Sequence, residues 1–260
     1  MRRQRLCCLI AFCLLWLCAA SVRAAEAAPG GADIENVWPF KDVPEGHKYR
    51  EQIAYGLQQG YITPEGELYK PDSPITRREV VGSLWIVNGK VIVPRAQKDN
   101  FPFADLELIP GSEGGNAAAW AFATDFEQQL WRETAEKKLF YKGNETITRG
   151  QLLTYLYRAS LKDPFMKALG PVDMSVIEGW DVDRKDVGYD AKAVAWGAQY
   201  GMITPETVNG KPSFRPDAMC TKGEFSDIMS KYAKKRAELK AAKEVQEAQA
   251  AQQAQEAKAA

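Results

Sequence analysis

"DSPITRREVV" spans residues 72–81, and its outline returns as "ETITRGQLLTYL" at 145–156 and "AMCTKGEFSDIM" at 218–229. Thr76, Thr148 and Thr221 stand 72 and 73 residues apart, so the chain carries internal repeats, and repeats decide a fold before any other signal. Thr followed three residues later by Glu or Gln, just before an apolar run, is the capping box that starts a helix. Thr76/Glu79, Thr148/Gln151 and Thr221/Glu224 all satisfy it. Capping does not account for Arg77, Arg149 and Lys222. A cation in the first turn faces the positive end of the helix dipole, at a cost of about 0.3–1 kcal/mol. Two partners answer that cost. One is an external anion held by the helix amides and the cation. The other is an internal ion pair with the acidic residue that opens each unit, Asp42, Asp105 or Asp181.

The units extend upstream. Six residues before the Ile or Cys of each phrase stands an aromatic followed by a basic residue: Tyr69-Lys70, Tyr141-Lys142 and Phe214-Arg215. Further back, "KYREQIAYGLQQGYITPEG" (48–66) aligns with "DAKAVAWGAQYGMITPET" (190–207), matching Ile53 to Val194, Tyr55 to Trp196 and Gly60 to Gly201. Apolar residues at 49, 53 and 57 give a helical period, and Gly60 or Gly201 is its stop signal. The openings are "FKDV" (40–43), "FADL" (103–106) and "WDV" (180–182). Each unit therefore reads helix, loop, helix, with Val80, Leu84 and Val87 on the inner face of the second helix. The middle unit has Glu127 where the others have Gly, so its first helix, within "NAAAWAFATDFEQQLWRETAEKKLF" (116–140), is expected to run longer. One such unit buries too little apolar surface to stand alone, so the three are expected to share a core.

The start, "MRRQRLCCLIAFCLLWLCAASVRAAEAA", has a basic opening, an apolar stretch from Leu6 to Ala20 and a small-residue site at Val22-Arg23-Ala24. That is a secretory signal peptide, shorter in its apolar run than a spanning helix. Its removal takes Cys7, Cys8, Cys13 and Cys18 and leaves Cys220, so no internal disulfide is expected. It also takes four of 34 basic residues and none of the 34 acidic ones, leaving a formal charge of −4. A nucleic-acid binder would show the opposite surplus. The boundaries read as signal 1–24, linker 25–37, units 38–90, 101–160 and 178–233, and a tail 234–260 rich in Ala, Glu, Lys and Gln. Those are helix formers, but the tail lacks the apolar seam of a coiled coil. It is expected to be a solvated helical or disordered extension, with self-association the rival.

The phrase "GYITPEGELYKPDSPITRREVV" (60–81), with "FKDV" before it and its two relatives after, resembles the S-layer homology domain over residues 38 to about 233. The first unit holds Tyr69, Pro71, Ile75, Thr76, Arg77 and Glu79 in register; the third carries Cys220 and Lys222 for Ile and Arg; the second lacks the Gly turn and the Pro. The resemblance implies an all-α, pseudo-threefold array of three helix-loop-helix repeats around a central bundle. It further implies grooves that bind cell-wall polysaccharide, a pyruvylated secondary polymer or peptidoglycan, and a secreted, wall-bound, non-enzymatic protein without cofactors. On it Arg77, Arg149 and Lys222 are the expected glycan-binding cations, with Asp42, Asp105, Asp181 and Tyr189 beside them. The family's Trp before the first helix is replaced here at His47-Lys48, Gly114-Gly115 and Gly188-Tyr189, with Tyr189 the one aromatic substitute. The rival function is a surface scaffold whose grooves no longer bind and whose tail assembles copies or recruits a partner. No metal spacing, nucleophile elbow or phosphate loop is present, His47 is the single histidine, and Trp120, Trp196 and Cys220 are expected in the core.

Overall fold

The computed structural model describes residues 38–94, 101–105, 108–124, 132–133, 139–180, 182 and 190–259. The expected signal peptide and linker, together with Glu127, Asp181 and Tyr189, lie outside them. Residues from Pro39 onward form one compact unit. In chain order its elements are α1 (Arg50–Gln58), α2 (Arg77–Val87), α3 (Glu113–Thr124), β1 (Arg132–Glu133), β2 (Leu139–Phe140), α4 (Arg149–Lys162), α5 (Ala191–Gln199), β3 (Glu206–Val208), β4 (Lys211–Ser213) and α6 (Lys222–Ala259), with short 3-10 turns at Met166–Ala168 and Met174–Ile177. It is a mostly helical protein.

The helix starts follow the sequence. Thr76 and Thr148 close full capping boxes with Glu79 and Gln151. Thr221 donates its amide to the Glu224 carboxylate at 2.9 Å and its hydroxyl accepts the Glu224 amide at 3.2 Å. The helix ends follow it too. Gly60 and Gly201 both sit at φ +72°, where an L side chain is strained, and the chain folds back so that Gly56 and Gly197 each accept two amides from beyond the turn.

Helices pair with a step of one unit. The second helix of each unit packs on the first helix of the next: α2 on α3, α4 on α5, and finally α6 back on α1. The last contact joins the two ends of the folded chain. Ile53, Leu84, Leu152, Leu153, Trp196, Phe225 and Tyr232 are all buried between these pairs. Trp120 is buried as well, and Cys220 is a buried free thiol whose pKa is pushed up by burial, as the sequence led one to expect.

The middle unit departs from its sequence reading. Helix α3 is described to Thr124; residues 132–133 and 139–140 are then paired antiparallel strands rather than helix. The reason lies upstream in the chain. Leu139 bridges Phe103 and accepts the Ala104 amide at 2.9 Å, which keeps the chain extended and delivers Tyr141 to Asp105. The third unit has a comparable hairpin, β3 with β4, turned at Asn209-Gly210, both with positive φ. The tail is not a separate segment: α6 runs unbroken through the expected boundary at 233/234. Arg236 pairs with the fully buried carboxylate of Asp163 at 2.7 Å and lies over the Phe165 ring. Residues 240–258 are exposed, about 28 Å of helix at 1.5 Å per residue.

Gly223 tests the closure of α6 on α1. A Cβ there would overlap the Tyr49 ring and crowd the Pro71 carbonyl. Gly223→Ala is expected to destabilise by about 1–3 kcal/mol. Pairing it with Tyr49→Ala should recover part of the loss in a double-mutant cycle by chemical denaturation.

Candidate functional site

The three repeated phrases meet. The Ile75 amide donates to Cys220 at 2.9 Å, the Cys220 amide to Ile147 at 3.0 Å, and the Ile147 amide to Ile75 at 3.2 Å. All three residues are buried. Flanking bridges join Pro74 to Thr221, Thr76 to Thr146 and Thr148 to Met219. Beside this ring each helix start meets the loop of another unit. The amides of Arg77 and Arg78 donate to Glu145 and Gly143, those of Arg149 and Gly150 to Ala218 and Pro216, and those of Lys222 and Gly223 to Ser73 and Pro71, all at 2.8–2.9 Å. The first two amides of each helix are thereby used inside the protein, and the third is taken by the capping Thr.

The first-turn cations follow the amides inward. Arg77 is 3% exposed. Its guanidinium donates to the Tyr141 and Lys142 carbonyls at 2.6 and 2.8 Å and to the Tyr155 hydroxyl at 3.3 Å, and pairs with Glu145 at 3.2 Å. Arg149, 6% exposed, pairs with Glu206 and Glu224 at 2.8 and 3.3 Å and stacks on Phe214. Lys222 pairs with Glu79 at 2.5 Å. The capping glutamates thus serve twice, holding their own helix start and the cation of another. At the remaining junction the capping residue is the uncharged Gln151, and Arg77 turns to Glu145 instead.

The internal ion pairs are made with partners other than the unit-opening aspartates that the sequence offered as the internal alternative. Asp42 and Asp105 accept loop amides. Asp42 takes those of Tyr69 and Lys70 at 2.9 and 2.7 Å, and Asp105 those of Tyr141 and Lys142 at 2.6 and 2.9 Å. Burial works upward on the Asp42 carboxyl, but these amides leave it below its ordinary value. The pinned residue is the one after the aromatic, and Lys70, Lys142 and Arg215 all adopt left-handed backbone, φ +59°, +53° and +51°. The aromatic-basic pairs were visible in sequence; their strained backbone was not.

Grooves open between units among the described residues, two of them at the motif helix starts. The larger, about 590 Å³, is lined by the 61–70 loop, the outer face of α2, the start of α3 and the tips of Tyr141 and Lys222. The smaller, about 160 Å³, is lined by Tyr49, Arg149, the 202–206 loop, Phe214 and the start of α6. Arg149 and Lys222 each line a groove, while Arg77 lines neither. Among the described residues no group of His, Cys, Asp and Glu could hold a metal ion, and no helix is long and apolar enough to cross a membrane.

Residues 39–81 match the S-layer homology domain. No curated protein matches the chain. The match covers α1, the 61–70 loop and the start of α2, including Asp42, Tyr69, Thr76 and Arg77. Domains of this family bind the cell wall, and the match supports a binding role at the cell surface.

Arg77→Ala is expected to cost about 2–4 kcal/mol in denaturant unfolding, because it strands two carbonyls and opens the junction. Arg77→Lys should restore only part of it, lacking the fork. Acid should act on the same ties. For Glu79, Glu145 and Glu206 burial works upward, but the facing cations and hydrogen bonds outweigh it, and all three lie below the ordinary 4.5. A carboxyl depressed in the folded state stabilises fully above its unfolded value and loses that contribution as pH falls through the folded one. Stability should therefore drop below about pH 4.5, and Glu79→Gln with Glu145→Gln and Glu206→Gln should flatten that acid limb.

Proposed function

We propose that this is an exported, non-enzymatic protein that anchors noncovalently to the bacterial cell wall by binding anionic wall glycan in the grooves between units. The observation that carries this reading is the domain match over 39–81, the segment that lines most of the larger groove. The three motifs, the ring at Ile75, Ile147 and Cys220, and the closure of α6 on α1 support a pseudo-threefold array of three S-layer homology repeats. In that array the second and third repeats have diverged beyond the first.

The grooves have the chemistry of a saccharide site. Aromatic rings, hydroxyls and charges of both signs line the larger one, and sugars need apolar faces and hydrogen-bond partners together. Arg149 and Lys222 contribute to the groove walls from their ion pairs, and Asp42 and Asp105 hold the loops at Tyr69-Lys70 and Tyr141-Lys142. Arg77 contributes through the stability of the body. Export through residues 1–24 places the protein on the side of the membrane where this ligand lies.

Co-sedimentation with isolated sacculi tests the reading. The purified protein is expected to pellet with intact sacculi and to stay soluble without them. A protein left in the supernatant at every sacculus concentration contradicts the anchoring role.

A further inference from the structure

The helix that walls both grooves is also the one that leaves the body. Lys222 and Phe225 of α6 line the larger groove, and Glu224, Asp227 and Ile228 line the smaller. The same helix then runs unbroken to Ala259. Met229 and Tyr232 are fully buried, whereas every residue from 240 to 258 is exposed.

At its exit α6 is gripped from two sides. On one, Arg236 pairs at 2.7 Å with Asp163, whose side chain is fully buried. The other oxygen of that carboxylate accepts the Phe165 and Met166 amides, both at 2.8 Å, so backbone fixes the anion in place. The Phe165 ring carries two cations of α6, Arg236 at 5.1 Å and Lys243 at 5.5 Å, about two turns apart. On the other side Lys234 lies over the Tyr55 ring of α1 at 4.8 Å.

Beyond this clasp the arm has the makeup of a rod. Ala, Glu, Lys and Gln favour helix, and Lys240 with Glu244 and Lys243 with Glu247 pair one turn apart. No Gly or Pro interrupts residues 224–260. An isolated helix must first nucleate, but this one extends a helix already formed in the body, so only propagation is needed. A helix that is polar all round has no face to lay on the body and suits a span through solvent. Sequences of this composition act as semi-rigid spacers.

We propose that α6 is a directed spacer: the clasp of Asp163, Phe165 and Arg236 holds the arm, residues 240–258, as a rod at a fixed angle to the grooves. The arm then keeps its far end about 28 Å from the body. With the anchoring reading, that distance is a stand-off from the wall-bound surface; the spacer itself does not depend on what the grooves bind.

The test is the distance between two nitroxide labels, read by pulsed electron paramagnetic resonance on the chain without residues 1–24. The labels sit at Glu51→Cys on α1 and Ala254→Cys on the arm, both exposed positions. Cys220 is buried, with its thiol pKa raised by burial, and stays unlabelled. One narrow distance distribution is expected for this protein. Phe165→Ala with Lys243→Ala loosens the clasp, leaves the Asp163–Arg236 pair in place, and is expected to widen the distribution about twofold. Arg236→Gln should widen it further, but it strands a buried carboxylate, so the Phe165 variant decides the matter if the Arg236 variant does not fold. Ala241→Gly with Ala242→Gly interrupts the helix between Arg236 and the label and sets the width of a loose arm. A distribution as broad without the glycines as with them overturns the spacer. A Phe165/Lys243 variant as narrow as the parent overturns the role of the clasp. Neither outcome bears on sacculus binding, so the anchoring reading stands or falls separately.

Discussion

Three backbone hydrogen bonds, from Ile75 to Cys220 to Ile147 and back to Ile75, close a circle between segments about 72 residues apart. Most of the body follows from that closure. Each bond fixes a motif helix beside a loop from another unit, and six further amides at the helix starts then donate to that loop's carbonyls. A helix start leaves donors without intrahelical partners, and this fold meets the need with neighbouring backbone. Because the helix pairs also step by one unit, with α6 ending on α1, no unit holds all its partners within its own sequence. Length alone would allow several small domains; the connectivity makes one.

The cations in the first turn take their meaning from the same closure. A cation beside the positive end of a helix is locally unfavourable, and no exposed benefit offsets it at Arg77, which is 3% exposed. Its guanidinium instead ties two carbonyls and a carboxylate of the neighbouring loop. Lys222 and Arg149 do similar work against the capping glutamates Glu79 and Glu224. The phrase therefore has one structural purpose spread over all its residues: Thr caps, Glu caps and pairs, and the cation crosses to the next unit.

Much of this was legible in the sequence. The repeats, the capping boxes, the glycine stops at Gly60 and Gly201, the buried Trp120 and Trp196 and the inert Cys220 all followed from local rules, because each depends on residues within a few positions. The partners of Arg77, Arg149 and Lys222 did not. The sequence offers an external anion or Asp42, Asp105 or Asp181 as partners and gives no sign of Glu145, Glu206 and Glu79, since nothing local says that loops exchange between units. The strand at 139–140 was hidden for a related reason: Leu139 bonds to Phe103 and Ala104, some 36 residues upstream, and residues 132–133 pair on it in turn. Composition identified the tail's helical character. Its continuity with the third motif helix required Arg236 and the buried Asp163 to be seen together.

A closed circle has a consequence that separate domains lack: no part opens alone. Native-state hydrogen exchange at the amides of Ile75, Ile147 and Cys220 reads this directly. The account predicts that all three exchange only through global unfolding, with one shared free energy and one shared denaturant dependence. Exchange of any one of them through a smaller, separate opening would contradict it.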